Sequence, residues 1–469
     1  MKQVDIAIIG AGSAGLGAFS QAVRTTENIV VIHDGPHGTT CARVGCMPSK
    51  VLIQVAEDFH RRHTFASLGI HGAEALHVDS AQVMNHVRQL RDRFVRGVLG
   101  GTVKKIGDER LLTGRARFLD AHTLEVNGEP IRAKKIIIAS GSRPIIPAAW
   151  RLFTKPVLTS DEIFELPKLP SSIAVMGVGV IGIELGQALS RLGVHTTAFG
   201  RSGRIAGLSD PVVNQVAVDT LGKELTLVFA NDVVASETGD GRYRITWSGG
   251  DIVVDAILAA QGRTPNVDTL GVETTGMALD PKGVPLFDRH TMQIKGAPHI
   301  FLAGDVQGEL PILHEASDEG KIAGYNAVAS SPMAFRRRTP LAITFCHPEV
   351  AVVGLPWKAL ETRGDAVAVG EVSFAGQGRA LVMSRNHGHL RVYGDAKSGA
   401  LLGAELCCPG GEHLAHLLAW AIQEEKTVFD VLRYPFYHPV VEEGLRTALR
   451  DLGGKIDPVQ VGLELRYNE

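Results

Sequence analysis

The stretch Val4-Asp5-Ile6-Ala7-Ile8-Ile9-Gly10-Ala11-Gly12-Ser13-Ala14-Gly15 decides the fold. An apolar run of strand length ends in glycines spaced G-x-G-x-x-G, and the residues after it suit a helix. Glycines at that spacing permit a tight turn and let the backbone approach a pyrophosphate at a helix N-terminus. One such motif is weak evidence, because glycine-rich turns are common. Here a second buried-strand candidate follows at residues 29–32, and the whole order then returns. An apolar run at 173–176 leads into Gly177-Val178-Gly179-Val180-Ile181-Gly182, a helix-like stretch to Leu192 and a strand candidate at 196–199. A repeated strand–turn–helix unit predicts two dinucleotide-binding domains in one chain.

Between the two units, residues 136–139 form a buried-strand candidate ending in Ser140-Gly141, and Pro144, Pro147, Pro167 and Pro170 mark chain crossings. Further apolar strands are expected at 257–260 and 300–303. From about residue 335 the character changes. Strand-like stretches (351–353, 389–392) precede helix-like ones (413–425, 441–452) with no third glycine fingerprint, so the last segment is expected to be α/β with a different task.

The bulk properties narrow the classes. A chain of 469 residues is too long for one ordinary core. A formal charge of −2 supplies no basic field for nucleic acid or an anionic membrane, so both partners are set aside. Five cysteines are too few for a disulfide scaffold and odd in number, which favours a reducing compartment and redox or metal chemistry for any close pair. Residues 1–19 superficially resemble a signal peptide, but Asp5 and the glycine pattern make them part of the fold. No apolar run is long enough to span a bilayer, and the expected location is cytoplasmic.

Two dinucleotides in one chain imply FAD together with NAD or NADP, since a flavin can take hydride on one side and exchange electrons on the other. A redox partner for it stands in Thr39-Thr40-Cys41-Ala42-Arg43-Val44-Gly45-Cys46-Met47-Pro48-Ser49-Lys50. Two cysteines separated by four residues can close a small disulfide loop if the backbone brings them together. Gly45 and Pro48 suit a helix start around Cys46, where the helix N-terminus stabilises a thiolate. Lys50, four residues on, shares a helical face with Cys46. The competing reading is a pair of buried or metal-binding thiols, and no second Cys/His cluster with zinc spacing supports the metal. A further candidate is Tyr434-Pro435-Phe436-Tyr437-His438-Pro439-Val440-Val441-Glu442-Glu443: histidine can move a thiol proton near neutral pH, and a carboxylate behind it fixes its tautomer. Taken alone the segment is weak evidence, since most histidines are structural and Glu442 and Glu443 also fit a solvated helix start.

Together these motifs resemble the class I pyridine nucleotide–disulfide oxidoreductases, and among them the dihydrolipoyl dehydrogenases. The resemblance runs the length of the chain: the first fingerprint, Cys-x4-Cys-x-Pro-Ser-Lys, Ala139-Ser140-Gly141, the second fingerprint with Glu184 after it, Gly262-Arg263-Thr264-Pro265-Asn266, Ala303-Gly304-Asp305, Phe345-Cys346-His347-Pro348-Glu349, and His438-Pro439 with Glu443. It implies a glutathione-reductase-like α/β fold of two Rossmann-like dinucleotide-binding domains plus a C-terminal α/β dimerisation domain. The implied division is residues 1–147 (FAD-binding, first part), 148–267 (NAD(P)-binding), 268–335 (FAD-domain return) and 336–469 (dimerisation). It also implies roles. Cys46 is the charge-transfer thiolate beneath the flavin, and Cys41 exchanges with substrate. Lys50 lies near the flavin and pairs with Glu184. Gly10, Gly12, Gly15, Gly141, Asp305 and the helix opening near Ala316 hold FAD; Gly177, Gly179, Gly182, Glu184 and Gly262 serve NAD(P). His438 and Glu443 are the acid–base pair, completed across a homodimer interface.

Three positions depart from the family's pattern. Its usual acidic residue for the adenosine ribose is replaced by His33, with Asp34 next, so that either Asp34 substitutes as the ribose ligand or the ribose is held otherwise. At the end of the second domain's corresponding strand, Gly200-Arg201-Ser202-Gly203-Arg204 offers no carboxylate, so Arg201 and Arg204 could take a 2′-phosphate; Gly182, by contrast, suits NAD, and both cofactors stay open. Val440 stands where threonine is usual after His-Pro.

The expected activity is oxidation of a dihydrolipoyl group with NAD(P)+ through a Cys41–Cys46 disulfide, the lipoyl partner coming in trans. Alternatives are an NAD(P)H-dependent reductase of another small disulfide, a transhydrogenase-like flavoprotein, or a flavoprotein acting as a binding module. Residues 460–469 hold no cysteine, which argues against a C-terminal thiol relay, and Cys407-Cys408 is read as packed or surface thiols.

Overall fold

The computed structural model describes residues 1–456 and 463–465, and the chain divides into two compact units. Most of residues 460–469, where the absence of a thiol relay was read, lie outside the described residues. The first unit gathers Met1–Pro48, His86–Ile145 and Gly262–Arg337. Its sheet runs in the order Gln293–Ile294, Ala297–Leu302, Glu129–Ile138, Lys2–Ile9, Ile29–His33, Leu111–Thr113; the three inner pairings and the outer one at Leu111–Thr113 are parallel, and only the short edge Gln293–Ile294 pairs antiparallel. Strands covered on both faces need continuous apolar sequence, which is why Ile6, Ala7, Ile8 and Ile136, Ile137, Ile138 are all at most 1% exposed.

The helices Ser13–Ala22 and Leu313–Val328 cover one face and touch backbone to backbone. A Cβ built on Gly320 would stand 2.0 Å from Ala14 O, and one on Gly324 would stand 2.3 Å from Ala18 O. Only glycine fits either position, so two small-residue stripes fix how deep both helix N-termini sit over the strand ends.

The second unit gathers Ser49–Asn85, Ile146–Gln261 and Arg338–Glu469. Its parallel sheet runs Thr226–Phe229, His195–Gly200, Ser172–Met176, Ala256–Ala259. A separate antiparallel sheet of Val234–Glu237, Tyr243–Trp247 and Gly250–Val254 was not anticipated from sequence. The final segment is a five-stranded antiparallel sheet, Leu341–Thr344, Glu349–Gly354, Leu401–Cys408, His389–Asp395, Val367–Ser373. Helix Glu442–Gly453 lays Leu445, Leu449 and Leu452 onto this sheet's core at helical spacing, each side chain contributing roughly 1.5–3 kcal/mol by leaving water. The mixed α/β architecture expected from the sequence is therefore present.

A buried carboxylate ties the parallel sheet's loops to the last sheet within this unit. Glu405, fully buried in Leu401–Cys408, accepts from Ser209 N (2.7 Å), Asp210 N (2.8 Å), Trp357 N (2.9 Å) and the Ser209 hydroxyl. Asp210 in turn caps helix Pro211–Leu221 by accepting from Val212 N and Val213 N, and it also accepts from Arg391 and the Tyr393 hydroxyl, both at 2.9 Å.

Candidate active site

The two glycine turns repeat each other closely. A Cβ on Gly10 would lie 2.2 Å from Ala139 O, and one on Gly177 would lie 2.2 Å from Ala260 O. On Gly15 and Gly182 a Cβ would lie 1.8 Å from the carbonyl oxygens of Gly10 and Gly177 respectively. Gly12 and Gly179, just ahead of helices Ser13–Ala22 and Val180–Arg191, face open space, and neither helix carries an acidic residue in its first turn. Each turn is a cradle with room and free polarity for a pyrophosphate.

Around the first cradle, Gly141 (φ +71°) also faces open space. Ser140 Oγ donates to Asn266 O (2.7 Å) and Asn266 Nδ2 donates to Ser140 O (3.0 Å), so the turn is locked from both sides. Asp305 is half-buried and accepts from Ser142 Oγ (3.1 Å), itself held by Arg263 Nε (2.8 Å). Ala316 lies in the first turn of Leu313–Val328, and Gly262 (φ +105°) accepts from Ile145 N. Buried Glu319 accepts from Gly304 N (2.7 Å) and from Arg337 (2.9 Å); burial pushes its carboxyl above the usual value against both bonds. Asp34 is exposed and ion-paired with Arg115 at 2.7 Å.

The cysteine segment folds as a short helix, Thr40–Val44, followed after Gly45 by the helix Cys46–His60. Thr39 caps the first by accepting from Ala42 N, although its own backbone sits at φ +63°. A Cβ on Gly45 would meet Thr40 O at 3.0 Å and Cys41 Cα at 3.1 Å, so the chain doubles back tightly and brings the two cysteines to one turn. Cys46 is exposed in the first turn of its helix and Cys41 is half-buried. That placement supplies the thiolate-stabilising end of a helix. The other three cysteines, Cys346, Cys407 and Cys408, are buried, and burial pushes their thiols up. Of the two readings of Cys407-Cys408, they are packed thiols.

Lys50 Nζ binds both oxygens of Glu184, at 2.8 and 2.9 Å, and rides over the Phe345 ring at 4.5 Å. Phe345 N also donates to Glu184 (2.9 Å). Farther along the same helix, Glu57 accepts from Arg191 and Arg385 and stands 3.5 Å from His347 Nδ1, while Arg191 also binds Glu224 (2.6 Å). Burial raises the Glu57 carboxyl, but its cationic neighbours outweigh it and hold the group below its usual value. Burial drives His347 down to about 4. Sequence reading missed this network, because lone charges on helices look like a solvated face.

His438 Nδ1 lies 3.0 and 3.2 Å from the Glu443 oxygens, and Val440 N holds one of them at 3.2 Å. An ionised carboxylate only accepts, so Nδ1 carries the proton and Nε2 keeps its lone pair for a reacting group. The His438 hydrogen bond, with Val440 N, holds Glu443 below the usual carboxylate range. The imidazole is 81% exposed in its own chain. Beside it an apolar groove is lined by Trp420, Tyr434, Phe436, Tyr437 and Leu445. Arg201 and Arg204 are exposed in the loop after His195–Gly200. Among the described residues no cluster could hold a metal ion, and no helix is long and apolar enough to cross a membrane.

Comparison with known proteins agrees with this geometry. Residues 4–320 match the family model described as pyridine nucleotide-disulphide oxidoreductase, and residues 341–449 match its dimerisation domain. The chain is 30% identical over 474 residues to a dihydrolipoyl dehydrogenase of Haloferax volcanii, covering 96% of both chains. It is 28% identical over 450 residues to a mercuric reductase of Bacillus cereus, covering 95% of this chain and 71% of that one. Among solved structures, the flavoprotein disulfide reductase RclA of Escherichia coli superposes with a TM-score of 0.83 at 21% identity, covering 96% of this chain and 99% of that one. LpdA of Mycobacterium tuberculosis gives a TM-score of 0.83 at 23% identity, with the same coverage. Two dinucleotide cradles, a cysteine pair at a helix start and a dimerisation domain thus converge: the chain belongs to the pyridine nucleotide-disulphide oxidoreductases, homodimeric enzymes that act on disulfides with FAD and NAD(P).

Proposed function

We propose that the enzyme oxidises dihydrolipoyl dithiols to the cyclic disulfide with NAD(P)+, using Cys41 and Cys46 as its redox pair. The observation that carries this reading is the Gly45 turn, which sets Cys46 in the first turn of its helix with Cys41 folded against the same turn. A substrate thiol gives its proton to His438 Nε2 and attacks Cys41 of the Cys41–Cys46 disulfide, releasing Cys46 as a thiolate. The second substrate thiol then displaces Cys41, leaving a reduced cysteine pair and an oxidised substrate. Bound FAD and nicotinamide supply the hydride chemistry that removes the two electrons from that pair. Lys50 places a cation one helical turn from Cys46, and Glu184 keeps that cation in position.

His438 has its exposed lone pair turned away from its own chain's partners, which suits a base that serves the active site of a dimer mate. Across the nicotinamide turn, Arg201 and Arg204 favour a 2′-phosphate, whereas Gly182 favours NAD. The test is the initial rate of nicotinamide reduction by dihydrolipoamide, with NAD+ and NADP+ compared on FAD-loaded protein. Fast turnover with one of them supports the lipoyl reading and names the cofactor. Negligible turnover with both overturns it and moves the substrate to another low-molecular-weight disulfide. A Cys46→Ser variant is expected to bind FAD and lose dithiol turnover.

A further inference from the structure

The second strand of the first dinucleotide unit ends in His33. In such units this is where a carboxylate accepts a hydrogen bond from the adenosine ribose 2′-hydroxyl. A neutral imidazole has one acceptor nitrogen and one donor nitrogen, and here the acceptor is already committed. Ala11 N, inside the glycine turn, donates to His33 Nδ1 at 3.2 Å. A backbone amide can only donate, so the proton of the neutral ring sits on Nε2. That Nε2–H meets Pro36 O at 3.4 Å, a length at which little hydrogen-bond energy is committed. The ring plane is fixed by stacking on His37, with centroids 4.6 Å apart and planes 29° from parallel. The neighbouring carboxylate, Asp34, is turned to Arg115.

We propose that His33 holds the adenosine ribose of FAD with the usual polarity reversed: its Nε2–H donates to the 2′-hydroxyl oxygen, while Nδ1 steadies the phosphate-turn amide of Ala11. One ring then serves two parts of the cofactor, and it can do so only when neutral. A proton on Nδ1 would set an N–H against the Ala11 N–H, so protons and FAD compete for the same residue. The groups facing the ring favour the neutral form on balance. Burial lowers its pKa most, His37 and Arg43 add to the lowering, and the Pro36 carbonyl and Asp34 oppose it. Because its pKa is depressed, His33 stays neutral and keeps both bonds through 6.5, losing them only as pH falls through a value below that.

The test is titration of apo-protein with FAD, and with FAD lacking the adenosine 2′-hydroxyl, followed by flavin fluorescence. At pH 8 the deoxy cofactor is expected to bind wild type about tenfold more weakly, the loss of roughly one hydrogen bond. In His33→Ala that penalty should vanish. His33→Gln, which can both accept and donate but does not titrate, should bind FAD at pH 8 and lack the acid-side fall in affinity shown by wild type between pH 8 and pH 5. A deoxy penalty equal in wild type and His33→Ala, no penalty in wild type, or an unchanged pH slope in His33→Gln would each overturn the proposal. If His33→Ala does not fold, His33→Gln carries the pH comparison, and the wild-type deoxy penalty still decides the ribose contact.

Discussion

Lys50 Nζ bridges both carboxylate oxygens of Glu184 and thereby joins the cysteine-bearing helix Cys46–His60 to the second fingerprint helix Val180–Arg191. The partners are unequal, with the Glu184 side chain 5% exposed and that of Lys50 31% exposed. Water can solvate Lys50 if it is abandoned, but it cannot reach Glu184. Lys50→Met should therefore destabilise the FAD-loaded protein by about 3 kcal/mol, and Glu184→Gln by about 1 kcal/mol. Urea unfolding at pH 7 measures both, and equal costs would contradict the asymmetry.

The His438–Glu443 contact predicts graded rate losses. On the proposed function His438 is the base, so His438→Gln should lower dithiol turnover by about 10²- to 10⁴-fold. Glu443→Gln can still accept from Nδ1–H but carries no charge, so its loss should be smaller, on the order of tenfold. Steady-state kinetics with dihydrolipoamide decide the order, and an equal loss in both would mean the carboxylate does more than orient the ring.

Thr39 caps a helix from a backbone conformation that favours glycine. Thr39→Ala loses the cap and keeps the strain, so it should cost about 1 kcal/mol. Thr39→Gly relieves the strain while losing the same cap and should unfold at a higher temperature than Thr39→Ala. Paired thermal melts test the ranking.

Arg191 stands between Glu57 and Glu224 with its side chain 6% exposed. Arg191→Met should cost about 3–5 kcal/mol, because two carboxylates lose their shared cation. The same cluster gives stability an acid limit. His347 is held near pKa 4 by burial, against an ordinary 6.5, so the stabilisation is complete above pH 6.5 and drains away between 6.5 and 4. At about 1.4 kcal/mol per unit the drain is on the order of 3 kcal/mol. Denaturation at stepped pH should show a shallower fall in His347→Asn, whose backbone bonds to Gln187 survive the substitution.

What could be read from the sequence was whatever chemistry keeps local. The first turn is legible because Gly15 must clear Gly10 O five residues earlier, and the redox segment because Cys41, Gly45 and Cys46 solve one backbone problem together. His438 and Glu443 likewise lie within reach along the chain. The Glu57–Arg191–Glu224–Arg385 network has no such signature, since Glu57 and Arg385 are 328 residues apart. The sheet of Val234–Glu237, Tyr243–Trp247 and Gly250–Val254 also went unread: its strands are short, and only alternate residues such as Tyr243 and Ile245 are buried. His33 was seen as a departure, but its engagement with Ala11 depends on where the turn's amide points, which no spacing encodes.

Glu405 has a consequence for motion. Four donors converge on one buried carboxylate, and swinging any of them away would strand a charge where no water can follow. The loop at Ser209 and Asp210 therefore cannot act as a hinge between the parallel sheet and the last sheet. The second glycine turn travels with the sheet of the dimerisation domain, and a substitution that loosened Glu405 would be felt as slack in the enzyme's frame before it was felt in its chemistry.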